Sequence, residues 1–210
     1  HSHYWLSGLV GQAIARRQNL PHVITFHTLG LIKMQSRAGE MEPEERHEAE
    51  RNLMATAQGV VAFSSHERDA MVRLYGADDS RITVAPCGVD LSLFRPLDQG
   101  KVRDRLGLNG ERVFLYVGRL EPLKGLELLL KITAHMETCG KIRVLVVGGA
   151  DSEEQEVRRL RNLAKTLEVE EVLDFVGRVE QEQLPLYYNA ADVCVVPSYY
   201  ESFGLAALES

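Results

Sequence analysis

The chain is poor in the residues that mark several protein classes. Of its 210 residues only three are cysteine, Cys87, Cys139 and Cys194. They are odd in number, far apart and form no CxxC pair, which excludes a disulfide framework and predicts a reducing, cytoplasmic setting. No apolar run is long enough to span a membrane, so no transmembrane segment is expected. Excess positive charge is also lacking: 24 Lys and Arg stand against 30 Asp and Glu, a net charge of −6. That balance argues against a nucleic-acid partner. The phosphate loop GxxxxGK[ST], the GxSxG elbow and the GxGxxG fingerprint are missing, and Gly148–Gly149 is no substitute for the last. No signal peptide is visible, although the chain opens on His1 and a leader lost upstream stays open.

What is present is an alternation of short apolar runs and helix-patterned segments. Strands are expected at His22–Phe26, Val60–Ser64 and Ile82–Pro86, with helices over Ser7–Gln18, Pro43–Ala57 and Ser65–Gly76. Pro43 suits a first helical position, Ser65 an N-cap and Gly76 a stop. The charge-rich 43–57 helix reads as a solvated face. Cys87–Gly100 has no clean period and reads as a connection. The alternation then resumes, with strands at Val113–Gly118, Ile142–Gly149, Val172–Gly177 and Asp192–Ser198. Helices are expected over Gly125–Glu137, Ser152–Glu168 and Gln181–Ala190. Near-continuous apolar strands interleaved with helices predict an α/β fold of two parallel-sheet, Rossmann-like units. The first covers residues 1–96, a linker 97–111, and the second 112–210.

In open parallel sheets ligands gather at the carboxyl ends of the strands. After the 113–117 strand comes "GRLEPLKG", which places Arg119 and Lys124 in one loop. Two fixed cations suit a diphosphate; taken alone, they read more simply as solvated loop charges. After the 192–196 strand comes "PSYYESFGLAALE". A helix starting near Gly204 would offer unpaired N–H groups to an anion. Glu209 can accept two hydrogen bonds from a vicinal diol such as a ribose, and Glu201 one from a sugar hydroxyl. The plainer alternatives make Glu201 a partner of the helix dipole and Glu209 a surface residue. His27 and Thr28 follow the 22–26 strand. A lone His is more often structural, and the strand-end position shifts His27 toward function. His1-x-His3 has no third metal ligand in evidence. No aspartate pair with one-residue spacing is present, so a metal-held diphosphate is unsupported.

Taken in order, "HSHYWLSG…FHTLG", "GRLEPLKG" and "PSYYESFGLAALE", with the softer "FVGRVEQEQLPLYYNAADV", resemble the retaining glycosyltransferases of family 4. That family has the GT-B fold. The resemblance implies that Arg119 and Lys124 bind the diphosphate of a nucleotide-sugar, with a UDP-sugar favoured, and that no further cofactor or metal is required. It puts Glu209 on the ribose, and Glu201 with Ser202, Phe203, Gly204 and Leu205 on the donor sugar and distal phosphate. The backbone of Arg178 and Val179 would face the nucleobase, and His27 the donor sugar near the reacting centre. Within the family the first motif is most similar to the inositol-phosphate N-acetylglucosaminyltransferases of mycothiol synthesis and to the sucrose-phosphate synthases. That likeness puts Tyr4, Thr28 and Arg46 on an acceptor phosphate, with Lys33 a fourth candidate. The expected activity is therefore hexosyl transfer to an acceptor hydroxyl. The rivals are a GT-B sugar-nucleotide epimerase and a non-catalytic nucleotide-binding fragment. The family's glycine-rich N-terminal loop and the remainder of its second domain after Glu209 have no counterpart. The chain thus reads as the central part of a longer enzyme, with both units incomplete and apolar faces left uncovered.

Overall fold

The computed structural model describes residues 1–36, 41–136, 141–149 and 154–210. In the first part of the chain the elements are β1 (Ser2–His3), α1 (Trp5–Gln18), β2 (Val23–Thr25), α2 (Gly30–Gln35), α3 (Glu44–Thr56), β3 (Gly59–Ala62), α4 (Ser65–Tyr75) and β4 (Ile82–Val84). In the second they are α5 (Gln99–Leu106), β5 (Arg112–Val117), α6 (Leu126–His135), β6 (Ile142–Val147), α7 (Glu154–Thr166), β7 (Leu173–Gly177), α8 (Leu184–Ala190), β8 (Val193–Cys194) and α9 (Leu205–Glu209). The expected helix end at Glu137, the expected helix start at Ser152, and Cys139 lie outside the described residues. Among the described residues no helix is long and apolar enough to cross a membrane.

The chain divides into two compact units, His1–Gly88 with Tyr200–Phe203, and Val89–Tyr199 with Gly204–Ser210. Each is built on a four-stranded sheet, and every recorded strand pair is parallel. The first sheet has the order β1-β2-β3-β4 and the second β7-β6-β5-β8.

In the second sheet the alternation of side chains sorts the core. Phe114 and Tyr116 of β5, with Val144 and Val146 of β6, pack on one face against Leu129, Leu130 and Leu160 of α6 and α7. Val113, Leu115, Leu145 and Val147 point the other way, against Val102 and Tyr188 of α5 and α8. This period of two is what a sheet covered on both faces requires.

The structure corrects several expectations in detail. Ser64, not Ser65, caps α4: its side chain accepts the Glu67 N–H at 3.2 Å. Gly76 ends that helix as expected. Pro43 is the cap of α3, so Glu44 is the first helical residue. β8 covers Val193–Cys194, much less than Asp192–Ser198, because it pairs with β5 alone and runs toward Pro197, which has no N–H to give a ladder. β1 and α2 were unforeseen, and α5 fills most of the expected linker.

The two long helices of the first unit invert their sequence pattern. α1 buries Gly8, Gln12 and Ala15, while Leu6, Val10 and Ile14 are 54%, 61% and 54% exposed. α3, expected as a solvated face, buries Arg46, His47 and Glu50 beside Leu53 and Met54. Its charges can be buried because Arg46 and Glu50 pair with each other along the helix and also meet partners from outside it.

Candidate functional site

In the first unit the candidate residues gather at the carboxyl ends of β1 and β2. His3 pairs with Thr25, and the Tyr4 N–H donates to the Thr25 carbonyl at 2.8 Å. Just past these strand ends Tyr4 and His27 have φ of 71° and 65°. Left-handed backbone at two non-glycine residues costs energy and tends to collect at functional sites. The His27 ring lies against His3, with Nε2 2.8 Å from His3 Nδ1, and against Phe63 at 5.2 Å between centroids. Burial, and then the charge of His3, hold the His27 pKa below its ordinary value, so the imidazole is neutral at neutral pH. Among the described residues no group of His, Cys, Asp and Glu side chains is arranged to hold a metal.

Arg46 is the hub of this half. Its Nε donates to Glu50 at 2.7 Å, Nη1 to Glu42 at 2.9 Å, and Nη2 to both the carbonyl and the Oγ1 of Thr28 at 3.0 Å. The guanidinium carbon also lies 5.2 Å from the Tyr4 ring centroid, a cation–π distance. Lys33 joins through Glu42, at 2.6 Å. Tyr4, Thr28, Lys33 and Arg46 therefore form one connected cluster.

Glu50, fully buried, anchors it. Its carboxylate accepts the Gly30 N–H and the Tyr75 hydroxyl, the latter at 2.5 Å, in addition to Arg46 Nε. Burial, then the Glu50 carboxylate, push the Tyr75 hydroxyl far above its usual pKa, so it stays a donor. For Arg46, burial alone would lower the pKa. The hydrogen bonds and charges of Glu50 and Glu42 outweigh that and raise it.

In the second unit the strand order supplies the geometry. The chain runs outward from β5 through β6 to β7, then returns to place β8 on the other side of β5. The reversal leaves a switch point between β5 and β8, where open sheets bind ligands. The loops that leave those two strands carry "GRLEPLKG" and "PSYYESFG". They pack on each other: the Tyr199 N–H donates to the Leu123 carbonyl at 2.9 Å. Gly125, at φ 69°, permits this approach, since a Cβ there would stand 2.1 Å from the Pro197 carbonyl oxygen.

Arg119 is exposed and pairs with Glu121 at 2.5 Å. Lys124 is half-buried at the end of a short 3-10 turn, Pro122–Lys124. Arg119, Arg178 and Val179 share a largely apolar concavity of about 370 Å³ with Gly118, Gly148 and Leu184. Gly148 packs directly on Gly118 in its lining: at φ 130°, a Cβ would fall 1.9 Å from the Gly118 carbonyl oxygen. Lys124, Gly204 and Glu209 do not line this concavity.

Gly204 caps α9 with φ 86° and precedes Leu205. Glu209 is more than a surface residue, because its Oε2 accepts the Tyr188 hydroxyl at 2.9 Å. Tyr188 is buried, and burial followed by Glu209 raises its pKa, which keeps it protonated as the donor. Glu201, Ser202 and Phe203 are half-buried and group with the first unit.

Sequence reasoning missed Glu42, Glu50, Tyr75, Gly148 and Tyr188. The Gly148–Gly149 pair at a strand's carboxyl end was a usable signal. Glu42 and Glu50 flank Arg46 at four-residue spacing, a helical pairing signal in its own right, whereas Tyr75 and Tyr188 had none, since their partners lie 25 and 21 residues away.

The model for glycosyl transferases group 1 matches residues 98–210, and that for glycosyltransferase family 4 matches residues 1–93. A D-inositol 3-phosphate glycosyltransferase 2 from Catenulispora acidiphila is 41% identical over 219 residues, covering 100% of this chain and 51% of that protein. A D-inositol 3-phosphate glycosyltransferase from Acidothermus cellulolyticus is 42% identical over 219 residues, covering 100% and 49%. Among solved structures, a sucrose-phosphate synthase from Thermosynechococcus elongatus matches with a TM-score of 0.90 at 36% identity, covering 100% of this chain and 52% of that one. Anabaena HepE, in complex with UDP and glucose, matches with a TM-score of 0.84 at 23% identity over 98% and 54%, a likeness of fold alone. The chain spans about half the length of the curated relatives it matches.

Proposed function

The chain belongs to the group 1 glycosyl transferases, with two parallel-sheet units of the GT-B fold, and on that footing we propose that it is the core of a retaining hexosyltransferase. The donor is a nucleoside-diphosphate sugar, with a UDP-sugar favoured. The acceptor is a small hydroxyl compound that carries a phosphate. The observation that weighs most is the pair of cations, Arg119 and Lys124, on the loop beside the β5/β8 switch point.

As the glycosidic bond breaks, negative charge builds on the leaving diphosphate. Arg119 and Lys124 stabilise it by fixed electrostatics, aided by the backbone from Ser202 to Leu205, and no metal is needed for that task. The apolar concavity takes the base, with Arg178 and Val179 at its edge. Glu209, held by Tyr188, accepts the ribose hydroxyls, and Glu201 those of the donor sugar. The acceptor phosphate is held by Tyr4, Thr28, Lys33 and Arg46.

His27 is neutral, as its lowered pKa requires, and orients the donor sugar. The acceptor hydroxyl attacks the anomeric carbon on the face from which the diphosphate departs. That same-face attack retains the anomeric configuration, and the hydroxyl proton passes to a leaving phosphate oxygen. In this proposal residues 1–96 carry the acceptor side and 112–210 the donor side, and the enzyme works in the cytoplasm. The names of the relatives favour an inositol phosphate as acceptor.

The test is turnover of the full-length protein with a panel of nucleotide-sugars and phosphorylated acceptors, with and without EDTA. EDTA-resistant transfer that depends on the acceptor supports the reading. Transfer that EDTA abolishes counts against the metal-free diphosphate site.

A further inference from the structure

Glu42 has no place in the proposed reaction, yet it occupies the two cations on which the acceptor phosphate depends. One carboxylate oxygen lies 2.6 Å from Lys33 Nζ and the other accepts Arg46 Nη1 at 2.9 Å. Burial would raise its pKa, but Lys33 and Arg46 together bring it below the ordinary value, so the group is an anion at neutral pH.

The two carboxylates on Arg46 are built differently. Glu50 is fully buried and tied to a backbone N–H and a tyrosine hydroxyl as well as to Arg46. Among the described residues the hydrogen bonds of Glu42 go to the two cations. It sits ahead of α3, between exposed Met41 and the capping Pro43. Arg46 has its Nε and Nη2 committed to Glu50 and Thr28, so the Nη1 edge is the one an incoming anion can take. Glu42 already holds it.

We infer that Glu42 is an internal stand-in for the acceptor's anion, bridging Lys33 and Arg46 until an acceptor phosphate takes its place. The inference rests on the acceptor role proposed above for those two cations. It has a consequence for specificity. A phosphate monoester brings nearly two charges and three acceptor oxygens, against one charge and two oxygens for the carboxylate. It can displace Glu42, whereas a neutral sugar or a sugar acid cannot. Glu42 thus makes the site selective for phosphorylated acceptors. It also balances Lys33, as Glu50 balances Arg46, when no acceptor is bound.

The experiment is calorimetric titration of the full-length protein with inorganic phosphate, and separately with UDP. Glu42→Gln keeps the side-chain shape and removes the competing charge, so it is expected to bind phosphate about tenfold tighter than the unaltered protein, a gain of about 1.4 kcal/mol. Glu42→Asp keeps the charge but shortens the bridge, and is expected to show a smaller gain of the same sign. It reads the same exchange if the Gln variant melts early. Unchanged or weaker phosphate binding in these variants, with the unaltered protein still binding phosphate, overturns the exchange and makes Glu42 a permanent positioning partner. If neither the unaltered protein nor the variants bind phosphate while all bind UDP, the acceptor role of Lys33 and Arg46 falls, and the inference falls with it.

Discussion

Arg46 and Arg119 carry the same guanidinium into opposite surroundings. Arg46 is 2% exposed, and its Nε, Nη1 and Nη2 all have partners, two of them carboxylates. The Arg119 side chain is 63% exposed and, among the described residues, pairs with Glu121. The first is part of the framework of its unit and, in the proposed exchange, reaches a ligand by giving up one of its partners. The second lines an apolar concavity and, in the proposed reaction, meets the diphosphate directly. A cation in a site can thus be costly to the fold or nearly free of it, and burial with carboxylate partners decides which.

The largest effect should come from removing the buried member. Arg46→Met leaves Glu50 buried without its counter-charge. Unpairing a buried ion costs about 3–5 kcal/mol, read as a lower midpoint in urea unfolding. Adding Glu50→Gln and Glu42→Gln to that variant should restore part of the loss. If Arg46→Met alone unfolds at the unaltered midpoint, the contrast with Arg119 collapses.

On the loop after β5 the effect moves from stability to rate. Lys124→Ala should lower turnover about a hundredfold or more, and Arg119→Ala comparably, by analogy with lost oxyanion donors at about 2.7–4 kcal/mol. Arg119→Ala should also leave the unfolding free energy within about 0.5 kcal/mol. Near-normal turnover in either variant would remove that cation from the diphosphate.

Smaller still is the ribose contact. Glu209→Ala should weaken UDP binding by about 1.5–3 kcal/mol, the scale of a hydrogen bond to a charged group, with turnover at saturating donor less affected. Tyr188→Phe, which removes the hydroxyl that holds Glu209, should show the same loss in part. Equal UDP affinity in all three proteins by calorimetry would count against the ribose role.

The smallest effect is that of pH. His22 and His27 both have lowered pKa values in the folded state, each first because of burial. The unfolded chain therefore binds these protons more readily. Their contribution is complete above the ordinary histidine value near 6.5, declines as pH drops below it, and is lost as pH falls through the lowered folded-state values. A thermal midpoint that rises on acidification from pH 7 to 5.5 would contradict that sign.

Much of the second unit was legible in the sequence. β5, β6 and β7 are near-continuous apolar runs, and buried parallel strands leave that signature because both of their faces are covered. The loops after β5 and β8 were legible as well, through Arg119 and Lys124 after the one strand and Gly204 at the helix start after the other. The first unit was harder. β1 is two residues long, too short for any period, and α1 turns its small residues inward, so its apolar pattern pointed the wrong way. α3 looked solvated because pattern counts charges and cannot see their partners. Thr28, Gly30 and Tyr75, which make Arg46 and Glu50 buriable, are 18 to 25 residues away in the chain. The strand order β7-β6-β5-β8, which makes a switch point of two separate loops, is likewise a property of the fold and not of any local stretch.

The most direct measurement follows the anomeric carbon. NMR of the full-length protein supplied with a UDP-hexose and an inositol phosphate should show a glycoside with the donor's own anomeric configuration, formed only when the phosphorylated acceptor is present. Inverted product, or an epimerised sugar nucleotide formed without acceptor, would contradict the account.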